Sequence, residues 1–249
     1  MALIQYEVKD RIAYITLNRP EKLNAISKEM FGEFVAVCQR YNEDRSSLVA
    51  IFSGKGRSFC SGADLSDEDS EFLAKVDMLY LDIMKLKKPT IAAVHGFCMA
   101  QGIGITLSCD IRIAAEGTKF SWPQVKRGIS SISGPAFAVH YFPRNFGYEY
   151  LFTGEPFGTE EASRFNMINR IVPEDKLMSA AEDMAKKIIV NAPLAVQAMK
   201  EAALMGFDMN LSQRLRVGFM ILDRVLKTKD AEEGRRAFQE KRQPVWKNE

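Results

Sequence analysis

Two glycine-containing turns carry the residues best suited to chemistry. The first is Arg57-Ser58-Phe59-Cys60-Ser61-Gly62-Ala63-Asp64-Leu65. The second is Ala93-Val94-His95-Gly96-Phe97-Cys98-Met99-Ala100-Gln101-Gly102-Ile103-Gly104, running on to Cys109-Asp110. Each follows a short apolar, strand-like run. Two strand-end turns of this kind can aim two backbone N–H groups at one point, which is the equipment for holding an enolate or another oxyanion. No obvious acid/base pair accompanies them, and no Asp or Glu occurs between Phe120 and Tyr148. That shortage limits the reactions such a site could run.

The elements that must position these turns follow from apolar periodicity. Ile4 to Val8 and Ile12 to Leu17 flank Lys9-Asp10-Arg11 and predict a hairpin. Ser27 caps a helix from Lys28 to about Asn42, with Met30, Phe31, Phe34, Val35 and Val37 at helical spacing. Leu48 to Phe52 and Thr90 to Val94 are buried-strand runs, and Phe72 to Leu86 reads as one helix stopped at Lys88-Pro89. Gly102 to Ser108 is a small-residue helix. Ile111 to Ala114, Lys119 to Ser121 and Ile168 to Val172 are further strands. The chain turns helical after Pro135, and Thr159 is placed to cap a short helix. Helices are expected near Lys176–Val190, Leu194–Met205, Leu211–Leu226 and Ala231–Arg242. Alternation followed by an almost wholly helical end predicts an α/β fold. Met199, Leu204, Met205, Phe207, Leu215, Phe219, Met220 and Leu222 on the last helices must pack on the core or on neighbouring subunits.

The bulk numbers fit a globular chain. It has 249 residues, 47% apolar and 27% charged, with a formal net charge of +2. Nothing there pulls toward nucleic acid or an anionic membrane. Arg235, Arg236, Lys241, Arg242 and Lys247 make the end locally basic, but Glu232, Glu233 and Glu240 interleave with them, the pattern of a solvated helix face. Cys38, Cys60, Cys98 and Cys109 show no CxxC or metal-ligand spacing and read as free, mostly buried thiols in a reducing compartment. No metal site is indicated. The N-terminus lacks the order of a signal peptide, and no apolar run approaches the ~20 residues needed to span a bilayer. The expected location is cytoplasmic.

The landmarks together resemble the crotonase, or enoyl-CoA hydratase/isomerase, superfamily. They are Asn18-Arg19-Pro20-Glu21-Lys22-Leu23-Asn24-Ala25, Phe59 to Leu65, Lys88 to Gly96, Gly102 to Ala114, Ala162 to Val172, and Ala237-Phe238-Gln239-Glu240-Lys241-Arg242-Gln243-Pro244. The resemblance covers nearly the whole chain. It implies a ββα spiral core with an acyl-CoA site over 1–190 and a C-terminal helical region over 191–249 that builds a homotrimer or a dimer of trimers. The ligand is an acyl-CoA thioester, with coenzyme A part of the substrate and no separate cofactor. Carried over by position, the oxyanion-hole N–H groups are those of Ala63 and Gln101. The family usually has glycine at the second, so the backbone there must tolerate a side chain. CoA contacts map to Lys22, Leu23, Ala25, Ser61, Ala63, Asp64 and Leu65, with Phe238 and Lys241 reaching the CoA of the same or a neighbouring subunit. Asp64, Asp110, His95 and His140 are expected to be structural. Phe72, Leu73, Met78, Leu79 and Tyr80 are expected near the acyl pocket.

The resemblance also exposes a departure. A hydratase of this family adds water with two glutamates, one activating water and one delivering a proton. Their positions fall at Gly104 and Gln124, and the carboxylate site of some isomerases and dehalogenases falls at Ile132. Reactions that need mainly enolate stabilisation remain open, decarboxylation of a malonyl-type thioester first among them. The family's methylmalonyl-CoA-type decarboxylases place a tyrosine near Ser131, which becomes a tentative catalytic residue. Lys126 and Arg127 could pair with a substrate carboxylate. Two alternatives stand: a non-catalytic acyl-CoA-binding subunit, and a hydratase drawing its acid from elsewhere, for example Glu116, Glu155 or a C-terminal residue of a neighbouring subunit.

Overall fold

The computed structural model describes residues 2–66, 70–76 and 78–249. Its strands are Ile4–Lys9 (β1), Ile12–Leu17 (β2), Val49–Gly54 (β3), Thr90–Val94 (β4), Phe97–Met99 (β5), Ile111–Ala115 (β6), Lys119–Ser121 (β7) and Arg170–Val172 (β8). The uninterrupted apolar character of β3 and β4 is what a strand covered on both faces requires, and both are buried nearly throughout. β1 and β2 pair antiparallel, with Ile4 opposite Leu17 and Lys9 opposite Ile12. The remaining strands add in parallel, giving one sheet in the order β1-β2-β3-β4-β6-β8. β5 and β7 form a second, two-stranded parallel sheet.

The helices are Lys28–Glu43 (α1), Ser70–Val76 (α2), Leu79–Met84 (α3), Gln101–Ser108 (α4), Ser133–Tyr141 (α5), Arg144–Thr153 (α6), Thr159–Arg164 (α7), Leu177–Ile189 (α8), Pro193–Met205 (α9), Leu211–Leu226 (α10) and Lys229–Gln239 (α11). Each face of the large sheet has its own core. On one side Met30, Phe34, Cys38 and Tyr41 of α1, at helical spacing, join Ile15, Phe52, Phe59 and Phe120. On the other, Leu177, Ala181 and Ala185 of α8 pack on Val49, Ile51, Ile91 and Ile113. Alanines at i and i+4 let α8 lie close to the sheet. Among the described residues no single helix is long and apolar enough to cross a membrane.

Several expectations need correction. The helix expected from Phe72 to Leu86 is two, α2 and α3; the spacing of Phe72, Val76, Leu79, Tyr80 and Ile83 continues unchanged past the break and gives no sign of it. Thr159 is not the cap of α7; Gly158 is, and its N–H donates to Glu161 Oε2 at 3.1 Å. Pro135 lies inside the first turn of α5, where its missing N–H costs nothing, and the following break comes at extended Phe142 before Pro143. β5 was hidden in the second turn, being only three residues long. The four cysteines are buried free thiols, as expected. Burial pushes Cys60 and Cys109 up to about 12. The basic C-terminal stretch is exposed, as its charge pattern implies, with Arg236 and Arg242 both paired with Glu233. α9 and α10 bury Ala198 and Ile221 but leave most of their large apolar side chains uncovered. Met199, Leu211, Leu215, Phe219, Met220, Leu222 and Leu226 are exposed in the single chain.

Candidate active site

The first turn is held as an extended segment. Cys60 bridges in parallel to Cys98, and Ala63 to Ile26. The Ile26 N–H donates to Gly62 O at 2.8 Å, and the Asp64 N–H donates to Ile26 O at 2.9 Å. A parallel bridge of this kind uses the neighbours of Ala63 and turns its own N–H to the opposite side. Gly62 sits at φ +112°, a conformation open to glycine and strained for other residues.

The second turn is locked against the first. Met99 N–H donates to Cys60 O at 2.8 Å, and Ala100 N–H donates to Ser121 O at 2.9 Å. Ala100 then takes φ +47° and ψ −110°, and Gln101 opens α4. The N–H groups of a first helical turn have no intrahelical acceptor and carry the positive end of the helix dipole. The backbone tolerance required of Gln101 therefore falls one residue earlier. Ala100 bears the unfavourable angle, at a cost on the order of 1–3 kcal/mol, and Gln101 is regular helix.

Ala63 and Gln101 line one cavity of about 560 Å³. Leu23, Ser61 and Leu65 are also on its wall, as is Ser131, so these expected site residues do converge. Leu73, Ile129 and Ile132 supply apolar surface. Gln124, Arg127 and Ser130 are the further polar contributors, and the described lining contains no carboxylate. Arg127 makes no ion pair among the described residues, whereas Lys126 is tied to Glu155 at 2.6 Å. Ser131 Oγ accepts the Gly134 N–H at 2.9 Å, which fixes the hydroxyl at the mouth of α5 and leaves its hydrogen free to donate. Gln124 Oε1 is buried without a hydrogen-bond partner among the described residues.

Other expected residues are not on the cavity wall. Lys22 is exposed on the short turn Pro20–Lys22, and Ala25 lies behind Leu23 in sequence without lining the cavity. Asp64 is turned into a structural pair. Its carboxylate accepts from Ser66 Oγ and Arg19 Nη1, each at 2.6 Å. Those bonds, Ser66 first, lower Asp64 to about 2. Phe238 and Lys241 are exposed near the end of α11 and do not reach this chain's cavity. Of the five residues expected near the acyl pocket, Leu73 alone lines it. Phe72, Leu79 and Tyr80 belong to the core, and Met78 is exposed.

The structural reading of the remaining polar candidates agrees with their contacts. Asp110 accepts from Thr90 N at 2.8 Å and from Lys200 Nζ at 2.7 Å. His95 Nε2 is 2.7 Å from Gly56 O. His140 lies against Phe207, ring centres 4.8 Å apart. Neither Glu116 nor Glu155 lines the cavity.

Two features were not readable from residue types. A Cβ at Gly104 would overlap the Tyr80 ring, so an aromatic side chain from α3 fills the space beside this position. The Gln101 side chain, considered in sequence only for its N–H, bends back so that its Oε1 accepts the Ala63 N–H at 2.8 Å.

Comparison with known proteins gives a consistent picture. The family model for enoyl-CoA hydratase/isomerase matches residues 7–249. The chain is similar to an (E)-benzylidenesuccinyl-CoA hydratase from Thauera aromatica, 34% identical, with 98% of each chain covered. It is also similar to a short-chain-enoyl-CoA hydratase from Clostridium acetobutylicum, 31% identical over 95% of this chain and 94% of that one. Among solved structures, an enoyl-CoA hydratase from Bacillus anthracis superposes with a TM-score of 0.94 at 29% identity, covering 99% of this chain and 100% of the other.

Proposed function

This chain belongs to the enoyl-CoA hydratase/isomerase family, and we propose that it acts on an acyl-CoA thioester whose enolate is stabilised at the Ala63 and Gln101 N–H groups. The observation that carries this is the shared cavity. Two backbone donors from separate turns meet on its wall, at the positive end of α4, and no carboxylate is present in its described lining. Preorganised donors of this kind act on charge that develops on the thioester oxygen.

The reaction best suited to that wall is decarboxylation of a malonyl-type thioester. The C–C bond to the carboxylate breaks, CO₂ leaves, the electron pair moves onto the thioester oxygen as an enolate, and the α-carbon then takes a proton from water. No side-chain base is needed. Arg127 is the ionisable side chain on the described wall and supplies the charge to hold a carboxylate before it leaves. A carboxylate at position 104 or 124 would repel that group. Ser131 can donate its hydroxyl hydrogen to the same group or to a water.

A second reading, hydration, is favoured by the names of the relatives and by Gln124. Its buried, unpartnered Oε1 could accept from a water and orient it, although an amide cannot take the water's proton near neutral pH. A non-catalytic acyl-CoA-binding subunit is the reading in which the empty acid positions mean loss of chemistry. CoA itself is proposed to reach the cavity past Leu23, Ser61 and Leu65, with Lys22 outside. Phe238 and Lys241 are proposed to meet the CoA of a neighbouring subunit. Self-association through residues 191–249 is proposed on the exposed apolar face of α10.

The test is mass-spectrometric turnover of crotonyl-CoA and methylmalonyl-CoA side by side. CO₂ release without hydration is the expected outcome. Hydration of crotonyl-CoA favours the Gln124 reading. Absence of turnover on any malonyl-type or enoyl thioester, with CoA binding intact, overturns the enzymatic reading.

A further inference from the structure

The Gln101 side chain occupies the place on Ala63 that a thioester carbonyl would take. Its Oε1 accepts the Ala63 N–H at 2.8 Å, a normal N–H···O length. An amide carbonyl is a near mimic of a thioester carbonyl, both being planar sp² acceptors. The arrangement is built rather than incidental. Gly62, without a side chain and at φ +112°, leaves the path open; a Cβ there would stand 3.2 Å from Gln101 Oε1 and 3.0 Å from Ala100 Cβ. Gln101 is itself buried on the cavity wall. No partner for its Nε2 is found among the described residues, so the Ala63 bond is what holds the amide in place.

We propose that the Gln101 side chain is an internal stopper of the oxyanion hole, which an incoming thioester carbonyl must displace to reach the Ala63 N–H. This rests on the acyl-CoA reading above. Gln101 thereby serves two opposed ends: its backbone N–H is a donor to the enolate, and its side chain competes with the substrate for the other donor. The stopper sets a threshold on binding. A thioester with further anchoring, such as a carboxylate held by Arg127, can displace the amide more readily than a simple short acyl group. Gln101 is in this sense a specificity-determining residue.

The test uses the whole protein and the variants Gln101→Ala and Gln101→Glu, titrated calorimetrically with acetyl-CoA and with free CoA, which lacks the thioester carbonyl. Removing one neutral hydrogen bond that competes with ligand should tighten acetyl-CoA roughly two- to tenfold in Gln101→Ala. Free CoA should be unchanged. Gln101→Glu, whose carboxylate holds the N–H more strongly, should weaken acetyl-CoA relative to free CoA. A merely structural role would move both variants the same way. Weaker acetyl-CoA binding in Gln101→Ala would mean that Nε2 is instead a donor to the carbonyl, and would overturn the stopper; so would no change. Hydrogen exchange at the Ala63 amide, resolved from overlapping peptides of the ligand-free protein, tests the contact by itself. Faster exchange in Gln101→Ala and protection in Gln101→Glu are expected, and equal exchange in all three overturns it. Failure of acetyl-CoA and CoA to bind any version would sink the acyl-CoA reading, while the exchange result would still decide whether the amide holds Ala63.

Discussion

At the scale of single residues, the site is shaped as much by what fills space as by what carries charge. Gly104 has no side chain, and the Tyr80 ring lies where one would project. Gly104→Ala should therefore destabilise the fold by about 1–3 kcal/mol, the cost of overpacking. In a Tyr80→Ala background the same change should cost at least ~1 kcal/mol less, since contacting residues couple. Urea midpoints of the four proteins in the cycle read this directly, and simple additivity would show that the overlap relaxes freely. Asp64 is a second residue-scale case. Its carboxylate is lowered from 3.8 to about 2 by Ser66 and Arg19. A depressed carboxylate contributes stability that is present above the unfolded pKa and lost as pH falls through the folded one. The stability advantage of the wild type over Asp64→Asn should thus be full at neutral pH, on the order of 1–3 kcal/mol for charge-assisted bonds, and should shrink between about pH 4 and pH 2. Denaturant titrations across that window check it, and a constant difference would remove the Arg19–Asp64–Ser66 cluster from the account of acid stability.

At the scale of elements, β5 is the piece on which the site depends. On one side it is bonded to the first turn: Cys60 N–H donates to Phe97 O at 3.1 Å, and Met99 N–H donates to Cys60 O at 2.8 Å. β7 pairs with it in register, Cys98 opposite Phe120. The chain then kinks at Ala100 and enters α4, so the donor at Gln101 is aimed by a strand, a strained residue and a helix start acting together. β5 is only three residues long and lies between Gly96 and Gly102, so its residues read as part of the second turn. The neighbouring α5 has a similar history. In the serine-rich run after Gly128 only the family resemblance singles out one hydroxyl, Ser131. The fold uses Ser131 to accept from Gly134 and buries Ser133 beside Tyr80.

At the scale of the whole molecule, one face is unfinished. α10 buries Ile221 yet exposes Leu215, Phe219, Met220 and Leu222, and α9 exposes Met199 and Met205 beside it. Contiguous apolar surface of this kind marks an interaction face. If residues 191–249 build a homotrimer, Phe219→Glu should shift the protein to monomer in light scattering, because a charge buried without a partner at an interface is strongly unfavourable. The cavity of a folded monomer should then lose CoA affinity, through the missing Phe238 and Lys241 of a neighbour. A wild-type protein that is already monomeric would refute the assembly.

The chain's own pattern was sufficient for the α/β class, the hairpin, α1, β4, α10 and the two turns, because each of these rests on local periodicity, caps or turn glycines. The resemblance carried by the family landmarks nominated Ala63 and Gln101, and the structure brings both to one wall. The emptiness of positions 104, 124 and 132 was legible once the family landmarks were aligned, since absence of an acid is a property of the residue itself. What tertiary structure alone decided is the use of space between elements distant in the chain. Tyr80 against Gly104, Arg19 on Asp64 and the Gln101 amide on the Ala63 N–H each join residues tens of positions apart. No local propensity encodes such contacts, because they arise only when packed elements leave one side chain a single place to lie.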